Sequence, residues 1–155
     1  MSNYIHPKAV IMPNVELGTG NVICAGAVIG NFGAIRGSKL KDYNGKVIIG
    51  NNNYIGANCV VNIGEDGITL IGSNNIIMNL TNIAHNVSIG SNNEIGAGCL
   101  ILGYACIGDN NKIKARVNLR NRKCITNNII VGMGANVVND LTIEGTYYGN
   151  PAKLK

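Results

Sequence analysis

Residues 71–90, IGSNNIIMNLTNIAHNVSIG, place an isoleucine at positions 71, 77, 83 and 89, one every six residues. The beat continues without a miss through Ile95, Ile101, Ile107, Ile113, Leu119, Ile125, Val131, Val137 and Ile143. Upstream it is carried by Ile5, Ile11, Leu17, Ile23, Ile29 and Ile35, and then by Ile49, Ile55 and Val61. A period of six matches neither the 3.6 of a helix nor the 2 of a long strand. It suits short strands that turn a corner every six residues. Three of them close a triangular coil, and stacked coils pair their backbones at ~4.8 Å. The expected fold is all-β: a hexapeptide-repeat solenoid of about seven coils, a single domain over residues 1–155. Each aliphatic residue would point inward and stack on its equivalent one coil later, as in the column Ile71, Ile89, Ile107, Ile125, Ile143. Asn and Gly cluster between the aliphatic positions, where corners require φ > 0.

The beat slips twice, with a step of fourteen from Ile35 to Ile49 and of ten from Val61 to Ile71. Loops are therefore expected near 36–46 and 62–70, punctuated by Gly37, Gly45, Gly64 and Gly67. Each is either a functional feature or a tolerated surface insertion. The segment 145–155 leaves the repeat and is expected to cap the last coil.

The composition agrees with such a core. Apolar residues make up 46% of the 155 and aromatics only 5%, with 21 Gly, 3 Pro and no Trp. Ile, Val, Leu and small residues must fill the interior. A net charge of +5 is too mild to argue for nucleic acid, and no aromatics interleave with the cations. It suits an anionic small molecule. The sequence has no signal peptide and no apolar run of membrane-spanning length, so a cytoplasmic protein with no membrane contact is expected. The five cysteines form no CxxC pair and read as reduced, mostly buried fillers. His6 and His85 are the only histidines and stand far apart in the repeat, so no metal site is expected.

His85 follows Ile83 by two, which puts its side chain on the outside of a coil, at or near a corner. One coil further on stands Gly103, and one beyond that Asn121. The missing side chain at Gly103 leaves room for a thioester beside the imidazole, with the Gly103 N–H as an oxyanion donor. A neutral imidazole could take a proton from a sugar hydroxyl or amine near pH 7. The alternative is a solvated corner histidine. Lys112, Lys114, Arg116, Arg120, Arg122 and Lys123 form a basic cluster on neighbouring corners. It is either a site for coenzyme A phosphates or an acidic carrier protein, or a solvated face.

Nearly the whole chain resembles the UDP-N-acetylglucosamine acyltransferases of lipid A biosynthesis and their sugar-acyltransferase relatives. Ile5-His6-Pro7-Lys8-Ala9-Val10 is similar to that family's opening, and Leu40-Lys41-Asp42-Tyr43-Asn44-Gly45 to its D-L-K-Y-x-G loop. The stretch from Ile76-Ile77-Met78 through Ile83-Ala84-His85-Asn86 resembles its general-base segment. The resemblance implies a left-handed winding, His85 as the general base, Lys41 on a substrate phosphate, and a homotrimer with sites between subunits. It also shows departures. Asn82 stands where the family has a histidine and Asn86 where it has an aspartate; its A-G-H step reads Leu102-Gly103-Tyr104, and its H-Q pair reads Arg120-Asn121. Gly149-Asn150-Pro151-Ala152-Lys153 instead resembles the ending of coenzyme A-dependent sugar acetyltransferases.

The expected activity is transfer of an acyl group, acetyl first, from a thioester to a hydroxyl or amine of a sugar or sugar nucleotide. Acetyl-CoA is the favoured co-substrate and an acyl carrier protein thioester the second; no cofactor is held permanently. His85 and Gly103 are the catalytic pair, Lys41, Asn82, Tyr104 and Asn121 the acceptor contacts, and Lys112, Lys114, Arg120, Arg122 and Lys153 the donor contacts. The competing expectation is a non-catalytic solenoid, a scaffold or binding module.

Overall fold

A computed structural model describes residues 1–33, 37, 39, 44–64 and 66–155. Short parallel strands stack into three flat faces around a triangular, left-handed core. Face A runs from Tyr4–Ile5 through Ile76–Ile77 to Gly145–Tyr148; face B from Val10–Ile11 through Asn82–Ile83 to Asn136–Val137; face C from Val15–Leu17 through Ser88–Ile89 to Cys124–Ile125. Along the regular part each residue pairs with the one eighteen further on, as Ile83 with Ile101 and Ile89 with Ile107. Most strands are two residues long because the hexad allots the remainder to the corner. The inward member, such as Ile77, Ile83 or Ile89, is fully buried.

Three details differ from the sequence expectation. Face A stacks eight parallel strands among the described residues, one level more than the expected seven. Leu17 pairs with Ile49, so the face C position expected of Ile35 belongs to Ile49, and the first excursion leaves after Phe32 and returns at Lys46. Ile35 itself lies outside the described residues. The second excursion is shorter than 62–70: Val60–Ile63 and Ile68–Ile71 are strands, leaving only 64–67 between them.

The end of the repeat is also corrected. Ile143 is 61% exposed and does not join the inward column. Asp140 accepts the Cys124 N–H at 2.9 Å, and the Leu141 N–H donates to the Cys124 carbonyl at 2.8 Å. The chain thereby cuts the corner by two residues, and Leu141 bridges Ile125 instead. Gly145–Tyr148 then pairs with Ile129–Val131 as a further strand, so the first part of the cap is still sheet. Lys153–Leu154 folds back antiparallel on it.

A second inward position precedes each aliphatic one by two residues. On the way into face A it is asparagine: Asn21, Asn53, Asn75, Asn93 and Asn111 are at most 2% exposed. Their amides form a continuous ladder. Asn93 Nδ2 donates to the Gly108 carbonyl at 2.8 Å, and its Oδ1 accepts the Asn111 N–H at 2.9 Å. No buried side-chain nitrogen or oxygen among the described residues lacks a partner, which is what makes a polar column tolerable inside an aliphatic core.

Candidate active site at the corner between faces B and C

The corner leaving face B carries, level by level, Ala84-His85-Asn86, Leu102-Gly103-Tyr104 and Arg120-Asn121-Arg122. His85 is half-buried and lies between two glycines. A β-carbon on Gly103 would come within 2.6 Å of His85 Nε2 and 2.7 Å of Cε1; one on Gly33 would stand 3.5 Å from Cδ2. Gly103 is therefore glycine for lack of space, since the imidazole occupies the place of its side chain. Its carbonyl accepts the Arg122 N–H at 3.1 Å, while its own N–H has no partner among the described residues. The N–H groups on either side, of Leu102 and Tyr104, are bonded to Leu119 and His85 carbonyls.

The proton on His85 is fixed by a chain of bonds that begins in the second excursion. The Asp66 carbonyl accepts Asn86 Nδ2 at 2.8 Å, which turns Asn86 Oδ1 toward His85 Nδ1 at 3.2 Å. An amide oxygen only accepts, so neutral His85 carries its proton on Nδ1. Nε2 is left with its lone pair on the side of Gly103. Thr69 holds the arrangement from below: its hydroxyl accepts the Asn86 N–H at 2.8 Å and donates to the Asn62 carbonyl at 2.7 Å. Asn86 therefore fills, as a neutral acceptor, the orienting position where the resembled family has an aspartate. Asn86, Thr69 and Gly33 were not read from the sequence as site residues. The signal available was the slip at 64–67, which brings the Asp66 carbonyl to the corner.

On the next levels, Tyr104 meets the His85 ring edge-on, with centroids 5.2 Å apart and planes at 87°. The Arg122 guanidinium lies 4.4 Å over the Tyr104 centroid. The Asn121 amide nitrogen is 3.3 Å from where a Gly103 β-carbon would be. Tyr104 and Asn121 thus gather with His85 and Gly103. Asn82 lies one strand earlier, half-buried on the outside of face B. Lys41 lies outside the described residues.

The expected donor residues divide. Arg120 and Arg122 share the His85 corner. Lys112 lies on the outside of face A, Lys114 on the corner between faces A and B, and Lys153 on the strand that folds back at the end of face A. Beside Lys114 runs an apolar groove of about 540 Å³, lined by Met78, Ala97, Ala115, Ile130, Met133 and Tyr148 among others. Within one chain this groove and His85 are on different corners.

The cysteines depart from the expectation of free thiols. Cys106 and Cys124, in register on the outside of face C, are joined by a disulfide with Cα atoms 4.5 Å apart. Cys59 and Cys99 are buried fillers, and burial pushes both thiols up, away from the reactive thiolate.

Residues 2–31 and 68–103 match the bacterial transferase hexapeptide family (six repeats). The chain is 31% identical over 148 residues to an acyl-[acyl-carrier-protein]–UDP-N-acetylglucosamine O-acyltransferase of Gloeothece citriformis, covering 94% of this chain and 53% of that protein. It therefore spans about half the length of that curated relative. A UDP-N-acetylglucosamine acyltransferase from Bacteroides fragilis superposes with a TM-score of 0.94 at 28% identity, over 99% of this chain and 60% of the other. PerB from Caulobacter crescentus, solved in complex with CoA and GDP-perosamine, gives a TM-score of 0.64 at 25% identity, over 100% of this chain and 57% of its own. The chain carries the hexapeptide repeat of the bacterial transferases and resembles sugar-nucleotide acyltransferases along nearly its whole length.

Proposed function

We propose that this protein is an acyltransferase that moves an acyl group, acetyl first, from a thioester to a hydroxyl or amine of a sugar nucleotide. One observation carries the reading: His85 Nε2 stands in the side-chain space of Gly103, and its Nδ1 faces the Asn86 amide oxygen, which the Asp66 carbonyl holds in place. A solvated corner histidine needs neither the slot nor the holder. In the reaction, Nε2 takes the proton of the acceptor nucleophile as it attacks the thioester carbonyl. The new bond forms at that carbon, and the oxygen carries negative charge toward the Gly103 N–H. Collapse expels the thiolate, and the proton returns from imidazolium to sulfur. Holding both reactants at one corner removes several kcal/mol of the barrier. Asn121 and Tyr104 border the acceptor.

The donor is coenzyme A rather than a carrier protein on this reading, with Lys112, Lys114, Arg120 and Lys153 near its phosphates. Lys114 and Arg120 sit on the two corners that flank face B, with Lys112 and Lys153 on face A beyond Lys114, which favours a homotrimer. With face B turned to a threefold axis, the corner of one copy that carries Lys114 and the apolar groove faces the His85 corner of the next. Exposed Leu100 and Leu102 on face B and its following corner would be covered in the process. A cytoplasmic location belongs to the same reading.

The test is incubation with acetyl-CoA and a panel of UDP- and GDP-linked amino and deoxy sugars, following free thiol and the mass of the sugar product. An acetylated sugar formed by the wild type and not by His85→Ala is the expected result. The absence of product from every acceptor and from acyl carrier protein thioesters would return the molecule to a binding scaffold. Light scattering that reports a stable monomer at micromolar concentration would sink the shared site.

A further inference from the structure

Cys106 and Cys124 stand in register on adjacent strands of face C, with Cα atoms 4.5 Å apart and a disulfide between them. Paired strands lie about 4.8 Å apart in any sheet, inside the window of about 4.4–6.8 Å that a disulfide spans. The bond can therefore open and close with little movement of the backbone. The fold does not need it. One level lower, Ser88 and Cys106 make the same pairing with no crosslink. Backbone hydrogen bonds already join the two strands: the Cys106 N–H donates to the Lys123 carbonyl at 3.0 Å, and the Gly108 N–H to the Ile125 carbonyl at 2.8 Å. Both cysteines are half-buried on the outside of the coil, within reach of a dissolved thiol. Cys59 and Cys99, by contrast, are enclosed in the core.

The crosslink falls on the levels of the candidate site. Tyr104 precedes Cys106 by two residues and Arg122 precedes Cys124 by two; the Arg122 guanidinium lies 4.4 Å over the Tyr104 ring, which meets His85 at 5.2 Å. The Arg122 N–H donates to the Gly103 carbonyl at 3.1 Å, so the same two levels are joined at the corner itself. Above, the Cys124 backbone anchors the end of the repeat. Its N–H donates to Asp140 Oδ1 at 2.9 Å, and its carbonyl accepts the Leu141 N–H at 2.8 Å. One bond thus ties the Gly103 level to the level from which the cap departs.

We infer that Cys106 and Cys124 form a thiol–disulfide exchange site, with a small dissolved thiol of the glutathione class as co-reactant, and that its oxidation state sets how firmly the upper levels of the His85 corner are held. The thiolate of the small thiol attacks one cysteine sulfur. The S–S bond breaks, the other cysteine leaves as thiolate and takes up a proton, and a mixed disulfide remains. A second small thiolate attacks that mixed disulfide and releases the second cysteine, which is protonated in turn. The protein gains two electrons and two protons, and two small thiols become one small disulfide. The reverse sequence restores the crosslink. Oxidised, the levels of Tyr104 and Arg122 move as one. Reduced, they are joined by backbone hydrogen bonds and the ring contact alone. None of this depends on acyl transfer.

The full chain is equilibrated with reduced and oxidised glutathione in a series of ratios, quenched in acid, unfolded and alkylated, and its modified cysteines are counted by mass. All five cysteines should be alkylated at the reducing end and three at the oxidising end, reversibly, with the same far-UV circular dichroism at both. On the same samples NMR follows amide exchange and the His85 imidazole ¹⁵N signals, assigned by their loss in His85→Ala. The Arg122 N–H should exchange roughly tenfold faster, or more, in the reduced protein, and the His85 signals should shift with oxidation state. The double variant Cys106→Ser/Cys124→Ser should show the reduced pattern at every ratio. A bond that never forms, or that glutathione cannot open in the folded chain, would overturn the inference. So would loss of the fold on reduction or in the double variant, which would make the bond structural, and so would exchange and His85 signals that are the same in both states.

Discussion

Two corners of this solenoid use the same backbone for opposite ends. The corner between faces C and A repeats asparagine at 52, 74, 92, 110 and 128, each with φ between 56° and 60°. It is the cheapest non-glycine answer to left-handed geometry, given at five successive levels above Gly20. The corner between faces B and C answers once with Asn86 and then with Tyr104 and Arg122 at the same φ. The first corner is chosen for folding. The second accepts backbone strain to hold particular side chains beside His85, as strained positions at functional sites do.

The contrast can be broken at several strengths. The largest effect is expected at His85: His85→Ala should lower turnover by ~10²–10⁴-fold, the range for a positioned acid–base group, with its melting temperature nearly unchanged. Asn110→Ala, a corner residue of the other kind, should leave turnover alone. A steady-state assay of the two variants at one protein concentration makes the comparison, and equal activities would mean that the His85 corner is as structural as its neighbour.

Gly103→Ala comes next. The added methyl must displace an imidazole whose Nε2 would be 2.6 Å away, so turnover should fall by roughly 10²-fold, as for a misplaced catalytic group. The fold should survive, because the ring can swing outward to solvent. A variant that keeps full activity would show that Nε2 need not occupy the slot.

Within the interior the prediction is reversed. Asn93→Leu removes the donor to the Gly108 carbonyl and the acceptor of the Asn111 N–H. Leaving such buried groups unpaired costs about 2–4 kcal/mol in all, read as a lower urea midpoint, while activity per folded molecule stays at the wild-type level. The smallest effect separates the corners most finely. Tyr104→Asn should stabilise by up to about 1 kcal/mol by relieving left-handed strain, and Asn110→Ala should destabilise by a similar amount. Thermal unfolding in which both variants shift the same way would erase the distinction.

What the sequence made legible follows from what a six-residue period counts. It counts aliphatic residues, and it located the three faces, the corner of His85 and the side-chain-free position at Gly103, although the imidazole fills the space that the sequence reading gave to a thioester. It could not separate the two asparagines of Asn74-Asn75, Asn92-Asn93 and Asn110-Asn111. The first of each pair is a left-handed corner and the second a buried rung, and only the partner eighteen residues away distinguishes them. It counted Ile143, which keeps the period, whereas a hydrogen bond from the Cys124 N–H to Asp140 shortened the last turn and gave the place to Leu141. The holder of His85 was missed for a related reason. It reaches the corner through the Asp66 carbonyl, a backbone atom supplied by an interruption of the repeat.

The regular register also bears on how such a chain can change over generations. From Ile71 to Val137 every inward residue pairs with its copy eighteen positions away. Duplicating or deleting one such unit among the upper turns keeps each side chain on its own face and gives every rung of the ladder a new partner of the same kind. Where such an event falls between Thr69 and Arg122 it separates His85 from the glycine and the arginine that give its corner a use. The three levels that hold His85 therefore travel as one inherited block.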